Sequence, residues 1–150
     1  MQNSFDFLEI DRVMALLKPG RRLRIKPYSY PFNFATIGAG LTVQATRVID
    51  ANCDFLWCAT TIAPQDSVNR YGVQIQDSGT GEFYLPSSIP FLFLGGWLSF
   101  SDSGGNSIGL GFPRLIPANS NLLASVTDLT GAGAADGQLA LHGVRVYEYD

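Results

Sequence analysis

The first periodic signal along the chain is helical. Phe7, Ile10, Val13, Met14 and Leu17 recur at the three- and four-residue spacing of one helix face within residues 5–17, with Asn3 or Ser4 placed as a cap and Lys18-Pro19-Gly20 as the stop. A helix this short is marginal alone in water, so its apolar stripe must be covered by its own domain or by a partner. The stretch GRRLRIKPYSYPF that follows holds Pro27 and Pro31 and reads as an extended connector, because each proline pushes the residue before it toward β or polyproline conformations.

Beyond about residue 34 the period changes. Leu41, Val43 and Ala45 alternate with Thr42, Gln44 and Thr46, and Tyr71, Val73 and Ile75 alternate with Gly72, Gln74 and Gln76, the pattern of strands with one polar face. The run from Cys53 to Ile62 is apolar at both parities, so both of its faces should be covered. Asp77-Ser78-Gly79-Thr80-Gly81 is a turn, and Pro86, Pro90, Pro113 and Pro117 mark later segments as edge strands and loops. The closing strand, 138–149, carries Leu139 and Leu141 on one parity and Val144 and Val146 on the other, which a bulge near Gly143 would reconcile. The count is about eight strands, as in a two-sheet jelly roll. The expected fold is therefore all-β: a jelly-roll-like β-sandwich (31–150) preceded by a helix and basic extended arm (1–30).

Composition sharpens this picture. The chain has 150 residues, 46% apolar and only 15% charged, with 16 Gly and 8 Pro. That length suits one core, and the scarcity of charge suggests that part of the surface meets a partner. A net charge of −3 argues against a general nucleic-acid binder. The cations are nonetheless concentrated: Lys18, Arg21, Arg22, Arg24 and Lys26 are half of all Lys and Arg. The longest apolar run, 89–100, is too short and too rich in Pro and Gly to span a bilayer, and the opening MQNSFDF lacks the pattern of a signal peptide. A reducing cytosolic origin is the default expectation.

Motifs that suggest catalysis lack their structural setting. Gly105-Asn106-Ser107-Ile108-Gly109 matches the G-x-S-x-G elbow, with Asp128 or Asp136 and then His142 in hydrolase order, but Phe112-Pro113 and Pro117 prevent the helix that must follow. Asp77-Ser78-Gly79 and Asp102-Ser103-Gly104 resemble aspartic-protease signatures, yet Gln76 and Ser101 stand where an apolar strand end belongs. Cys53 and Cys58, five apart on one strand, face opposite sides and read as buried free thiols. His142 is the single histidine, so a histidine-rich metal centre is excluded and no cofactor is expected. Trp57, Trp97, Phe91, Phe93 and Phe100 could line a sugar platform, although aromatics in apolar runs more often fill cores.

A resemblance adds a setting. The segments Asn52-Cys53-Asp54-Phe55-Leu56-Trp57 and 71–77, then Phe112-Pro113-Arg114-Leu115-Ile116-Pro117-Ala118-Asn119-Ser120, and the closing Leu141-His142-Gly143-Val144-Arg145-Val146-Tyr147, resemble small jelly-roll cement or decoration proteins of tailed-bacteriophage capsids. That likeness covers about residues 30–150 and implies a non-enzymatic virion protein, made in the host cytoplasm. Its partners would be the major capsid protein or another virion protein, with a head-to-tail connector, collar or tail structural role as the alternative. A carbohydrate-binding lectin, using loops 77–82 and 101–111, is the competing class. On the virion reading, Phe7, Ile10, Val13, Met14, Leu17, Lys18, Arg21, Arg22, Arg24 and Lys26 form the partner-binding element. Phe55, Leu56 and Trp57 are then the expected interface of a trimer or dimer.

Overall fold

The computed structural model describes residues 7–63, 71–90, 107–131 and 135–149. One helix, α1 (Phe7–Leu17), precedes β1 (Arg22–Ile37), β2 (Thr42–Val48), β3 (Asp54–Ala63), β4 (Tyr71–Asp77), β5 (Phe83–Pro90), β6 (Ser107–Ile116), β7 (Asn121–Asp128) and β8 (Ala135–Tyr149). The strands form two four-stranded antiparallel sheets, ordered β1-β8-β3-β6 and β2-β7-β4-β5. This order has a simple origin. β1 pairs with β8, β2 with β7, β3 with β6 and β4 with β5, as in one long antiparallel ribbon. Rolling that ribbon sets β3 against β8 and β4 against β7, which closes each sheet. The result is the jelly-roll sandwich expected from the strand count.

Edges fall where the prolines are. Pro86 and Pro90 lie in β5 and Pro113 in β6, both edge strands, where a missing N–H costs no ladder bond. The same rule accounts for a departure from the sequence reading. The segment expected to be a connector is the first half of β1, a sixteen-residue edge strand that carries Pro27 and Pro31 and pairs with β8 from Arg22↔Tyr149 onward. A boundary at residue 30 would cut through this strand, so the basic segment is part of the sandwich and not an arm outside it.

Two apolar clusters lie on opposite faces of the β1-β8-β3-β6 sheet. Between the sheets, Phe32, Phe34, Phe55, Trp57, Leu139 and Leu141 pack against Tyr71, Val73, Ile75, Leu122, Ala124 and Val126. On the outer face, Met14 of α1 packs with Leu56, Cys58, Val144 and Val146, flanked by Val13, Leu23, Ile25 and Leu115. Among the described side chains of the helix stripe, Met14 and, in part, Val13 are thus covered by the chain's own sheet. Lys18 fixes the helix end by an ion pair to Asp54 of β3 and another to Glu148 of β8. Burial works against the Lys18 charge, but its bonds to these two carboxylates prevail and hold its pKa above the usual lysine value.

β3 is covered on both faces, as its composition requires, yet the cover comes from within the chain. Phe55, Leu56 and Trp57 are each 0% exposed, so the interface expected on them is occupied by the molecule's own sheet and helix. Trp57 also bonds its Nε1 to Thr60 Oγ1 at 2.9 Å and Ala59 O at 3.1 Å. Such a ring cannot serve as a sugar platform.

The bulge lies on a different strand from the one expected. β8 runs in unbroken register with β1 through Gly143, so Leu139 and Leu141 face inward while Val144 and Val146 face α1. The irregularity is in β3, between Trp57 and Ala59, opposite Gly143. A Cβ at Gly143 would collide with the Leu56 carbonyl. Glycine is needed there for close backbone approach.

Two substitutions test this arrangement by urea denaturation. Gly143→Ala should cost at least about 2 kcal/mol, because the obstructing atom is backbone and cannot swing away. Met14→Ala should cost about 2–5 kcal/mol, the range for emptying a buried methionine site, whereas an unpacked helix would lose almost nothing.

Candidate functional site

Along β1 the even-numbered residues share one face. Tyr30, Phe32 and Phe34 on that face are buried between the sheets, while Arg22, Arg24, Lys26 and Tyr28 are exposed. The inner face of this sheet therefore emerges from beneath the second sheet at Tyr28. Across the ladder, β8 contributes Tyr149 opposite Arg22, Tyr147 opposite Arg24 and Arg145 opposite Lys26. Cations and tyrosines interleave over both strands.

The tyrosines order the cations. The Arg24 guanidinium lies 5.3 Å from the Tyr147 ring centre, and that of Arg145 lies 3.4 Å from Tyr28 and 5.6 Å from Tyr30. Arg145 Nε donates to the Tyr30 hydroxyl at 3.3 Å, and its Nη1 is 3.6 Å from Asp50 Oδ2. Arg145 is thereby committed to structure. Arg21, Arg22, Arg24 and Lys26 have no ion-pair partner among the described residues.

The structure thus divides the residues expected to bind a partner. Met14 and Lys18 are engaged within the fold, and Val13 is half-buried against the outer cluster. Leu17 is 38% exposed at the helix end, and the side chains of Phe7 and Ile10 lie outside the described residues. Arg21, Arg22, Arg24 and Lys26 remain at the surface. Tyr28, Arg145, Tyr147 and Tyr149, which the sequence reading did not assign to this site, join them. The signal was the strict alternation in Arg22-Leu23-Arg24-Ile25-Lys26 and in Arg145-Val146-Tyr147-Glu148-Tyr149.

Among the described residues the catalytic motifs are not assembled. Ser107 is the first residue of β6, not a loop residue, and the chain continues as strand to Ile116 where the elbow requires a helix. Asp128 is buried, accepting from Thr130 N and Gly40 N, and Asp136 accepts from Thr36 N at 2.7 Å. Asp77 accepts from Gly79 N at 2.9 Å, forming the turn. Asn3, Ser4, Phe91, Phe93, Trp97, Phe100 and the Asp102-Ser103-Gly104 turn lie outside the described residues. Cys53 and Cys58 are free and buried, and burial pushes the Cys58 thiol up to about 12. Among the described residues no three His, Cys, Asp or Glu side chains gather in metal-binding range, and no helix is long and apolar enough to cross a membrane.

His142 joins three strands instead. Its Nδ1 lies 2.6 Å from Ser29 Oγ on β1 and its Nε2 lies 2.7 Å from Thr61 Oγ1 on β3. In the neutral ring one nitrogen donates and the other accepts, so both hydroxyls are satisfied.

No protein-family model matches this chain, and no curated protein matches it. Among solved structures, a chain from the structure of the infectious bursal disease virus Gx strain is similar at 16% identity and a TM-score of 0.31. The match covers 86% of this chain but only 38% of that one, a likeness too distant to assign function.

The histidine gives a pH test. Burial lowers the His142 pKa below its ordinary 6.5, so the unfolded chain takes up the proton first. Stability is complete above that ordinary value and is lost as the pH falls through it toward the lower folded-state pKa. A urea midpoint that drops between about pH 7.5 and pH 5.5 in the native chain, but much less in His142→Gln, is the expected result.

Proposed function

We propose that this chain is a non-enzymatic structural protein of a virion, a cement or decoration protein on a tailed-bacteriophage capsid, attached through the cationic end of the β1–β8 ribbon. The observation that carries the reading is that exposed face, where Arg22, Arg24 and Lys26 interleave with Tyr28, Tyr147 and Tyr149. Arginine and tyrosine are the residues enriched at the energetic centres of protein interfaces, because each combines a large contact surface with directional polar groups. The jelly roll is shared by viral capsid and lectin domains, so the fold alone does not choose between them. Burial of Trp57 removes the one tryptophan among the described residues from any sugar site.

Repetition on a shell makes a small contact sufficient, since many weak attachments act together. Neutralising an acidic partner surface with three free cations also makes attachment sensitive to salt. The partner on this reading is the major capsid protein or a neighbouring virion protein.

Immunogold labelling of purified virions should place the chain on the particle. The double variant Arg22→Glu/Arg24→Glu should fold normally yet lose most of that label, and wild-type attachment should weaken as salt rises. Glycan-array binding by a chain that never appears on particles would overturn the proposal in favour of the lectin class.

A further inference from the structure

The edge of the sandwich beside this face carries more information than its charge. β1 ends its sheet, and in Arg22–Lys26 alternate residues turn their backbone N–H and C=O groups away from β8 to the open edge, before Pro27 removes the next donor. Among the described residues no strand pairs with that outer edge. An unpaired edge is a template on which another strand can add.

The two faces flanking this edge differ sharply. On the inner side stand Arg22, Arg24 and Lys26, exposed and without a carboxylate partner among the described residues. On the outer side Leu23 and Ile25 are half-buried, and with Met14, Ala15, Lys18, Gly20 and Arg21 they line an open cavity of about 300 Å³. Lys18 is held by Asp54 and Glu148, so it walls this cavity with its aliphatic stem more than with free charge.

We infer that the free edge of β1 receives an extended segment of a partner protein as a fifth strand, with acidic residues at one parity and aliphatic residues at the other. Side chains on a strand alternate between faces and repeat about every 6.7 Å on one face, so an added strand matches both surfaces at once. Its acidic residues lie beside Arg22, Arg24 and Lys26, and its aliphatic residues lie over Leu23 and Ile25, one of them entering the cavity. Backbone bonds supply affinity and the two faces supply selectivity. A nucleic acid meets fewer of these demands, having no peptide groups for the edge and no aliphatic chains for the cavity. Outside the basic cluster of 18–26 the chain also holds only five Lys and Arg against thirteen Asp and Glu, a field that repels polyanions.

The inference rests on reading the cationic end as an attachment site, and it is tested separately with purified chain alone. Fluorescence anisotropy at low ionic strength is measured with a labelled Glu-Leu-Glu-Leu-Glu-Leu-Glu peptide. Comparison probes are the blocked-order peptide of the same composition, an alternately N-methylated copy and an oligothymidine. The alternating peptide should bind saturably and more tightly than all three. Arg22→Glu/Arg24→Glu should weaken it at least tenfold, and so should Ala15→Trp, which fills the cavity from an exposed helix position; circular dichroism checks that both variants fold. Equal binding of the blocked-order or N-methylated peptide would overturn strand addition, as would tighter binding of oligothymidine or no saturable binding. Undiminished binding by Ala15→Trp would overturn the aliphatic parity. A chain that labels virions but ignores the peptide would refute strand addition alone, and the converse would refute the virion reading alone.

Discussion

β8 must bury both of its faces, and the rest of the molecule is arranged to meet that requirement. Leu139 and Leu141 need the second sheet, whereas Val144 and Val146 need something on the opposite side, which α1 supplies through Met14. A strand apolar on both faces is at home only in the interior of a layered structure. β1 and β3 flank it, and Gly143 lets the bulged β3 backbone approach without a collision. The molecule is accordingly a three-layer object, a helix on a sheet on a sheet, with β8 in the middle of the middle layer.

Much of this was legible in the residues, for physical reasons that differ from element to element. β2 and β4 could be read because each alternates cleanly. The double cover of β3 could be read because Phe55, Leu56, Trp57 and Cys58 leave no polar parity. The origin of that cover could not, because a helix stripe and a doubly apolar strand specify two surfaces without saying that they meet. β1 was hidden by Pro27 and Pro31, which signal a break in an isolated segment but are tolerated on an edge strand. The bulge was misplaced for a related reason. A change of apolar parity within one strand admits either a kink or two buried faces, and only the position of α1 chooses between them. At the candidate site the basic half was plain, but Tyr147 and Tyr149 lie more than a hundred residues away from it in sequence.

Charge is used in two ways that the amino-acid counts cannot separate. Lys18 closes a seam, holding the helix end to β3 and β8 while its own ammonium is partly withdrawn from water. Arg145 likewise organises Tyr28, Tyr30 and Asp50. Arg22, Arg24 and Lys26 have no carboxylate partner among the described residues, and exposed surface charges of this kind add little to stability. On the proposed attachment reading their use lies outside the chain, and the stacking of Arg24 on Tyr147 keeps part of that surface ordered before anything binds.

The pairing of β1 with β8 also governs how the chain must be made. Ser29 and His142 meet across the ladder although 113 residues separate them, a contact of long range that is slow to form. A ribosome adding about 5–20 residues per second takes on the order of ten seconds to make that stretch. Throughout that interval the nascent β1 has no strand to pair with, and Leu23, Ile25, Phe32 and Phe34 are exposed to every other unfinished chain nearby. Three cations and two prolines distributed through the same strand oppose that misassociation, because like charges repel and proline cannot extend a ladder. The cations and prolines of β1 thus protect the unfinished strand from aggregation during the interval before β8 is made.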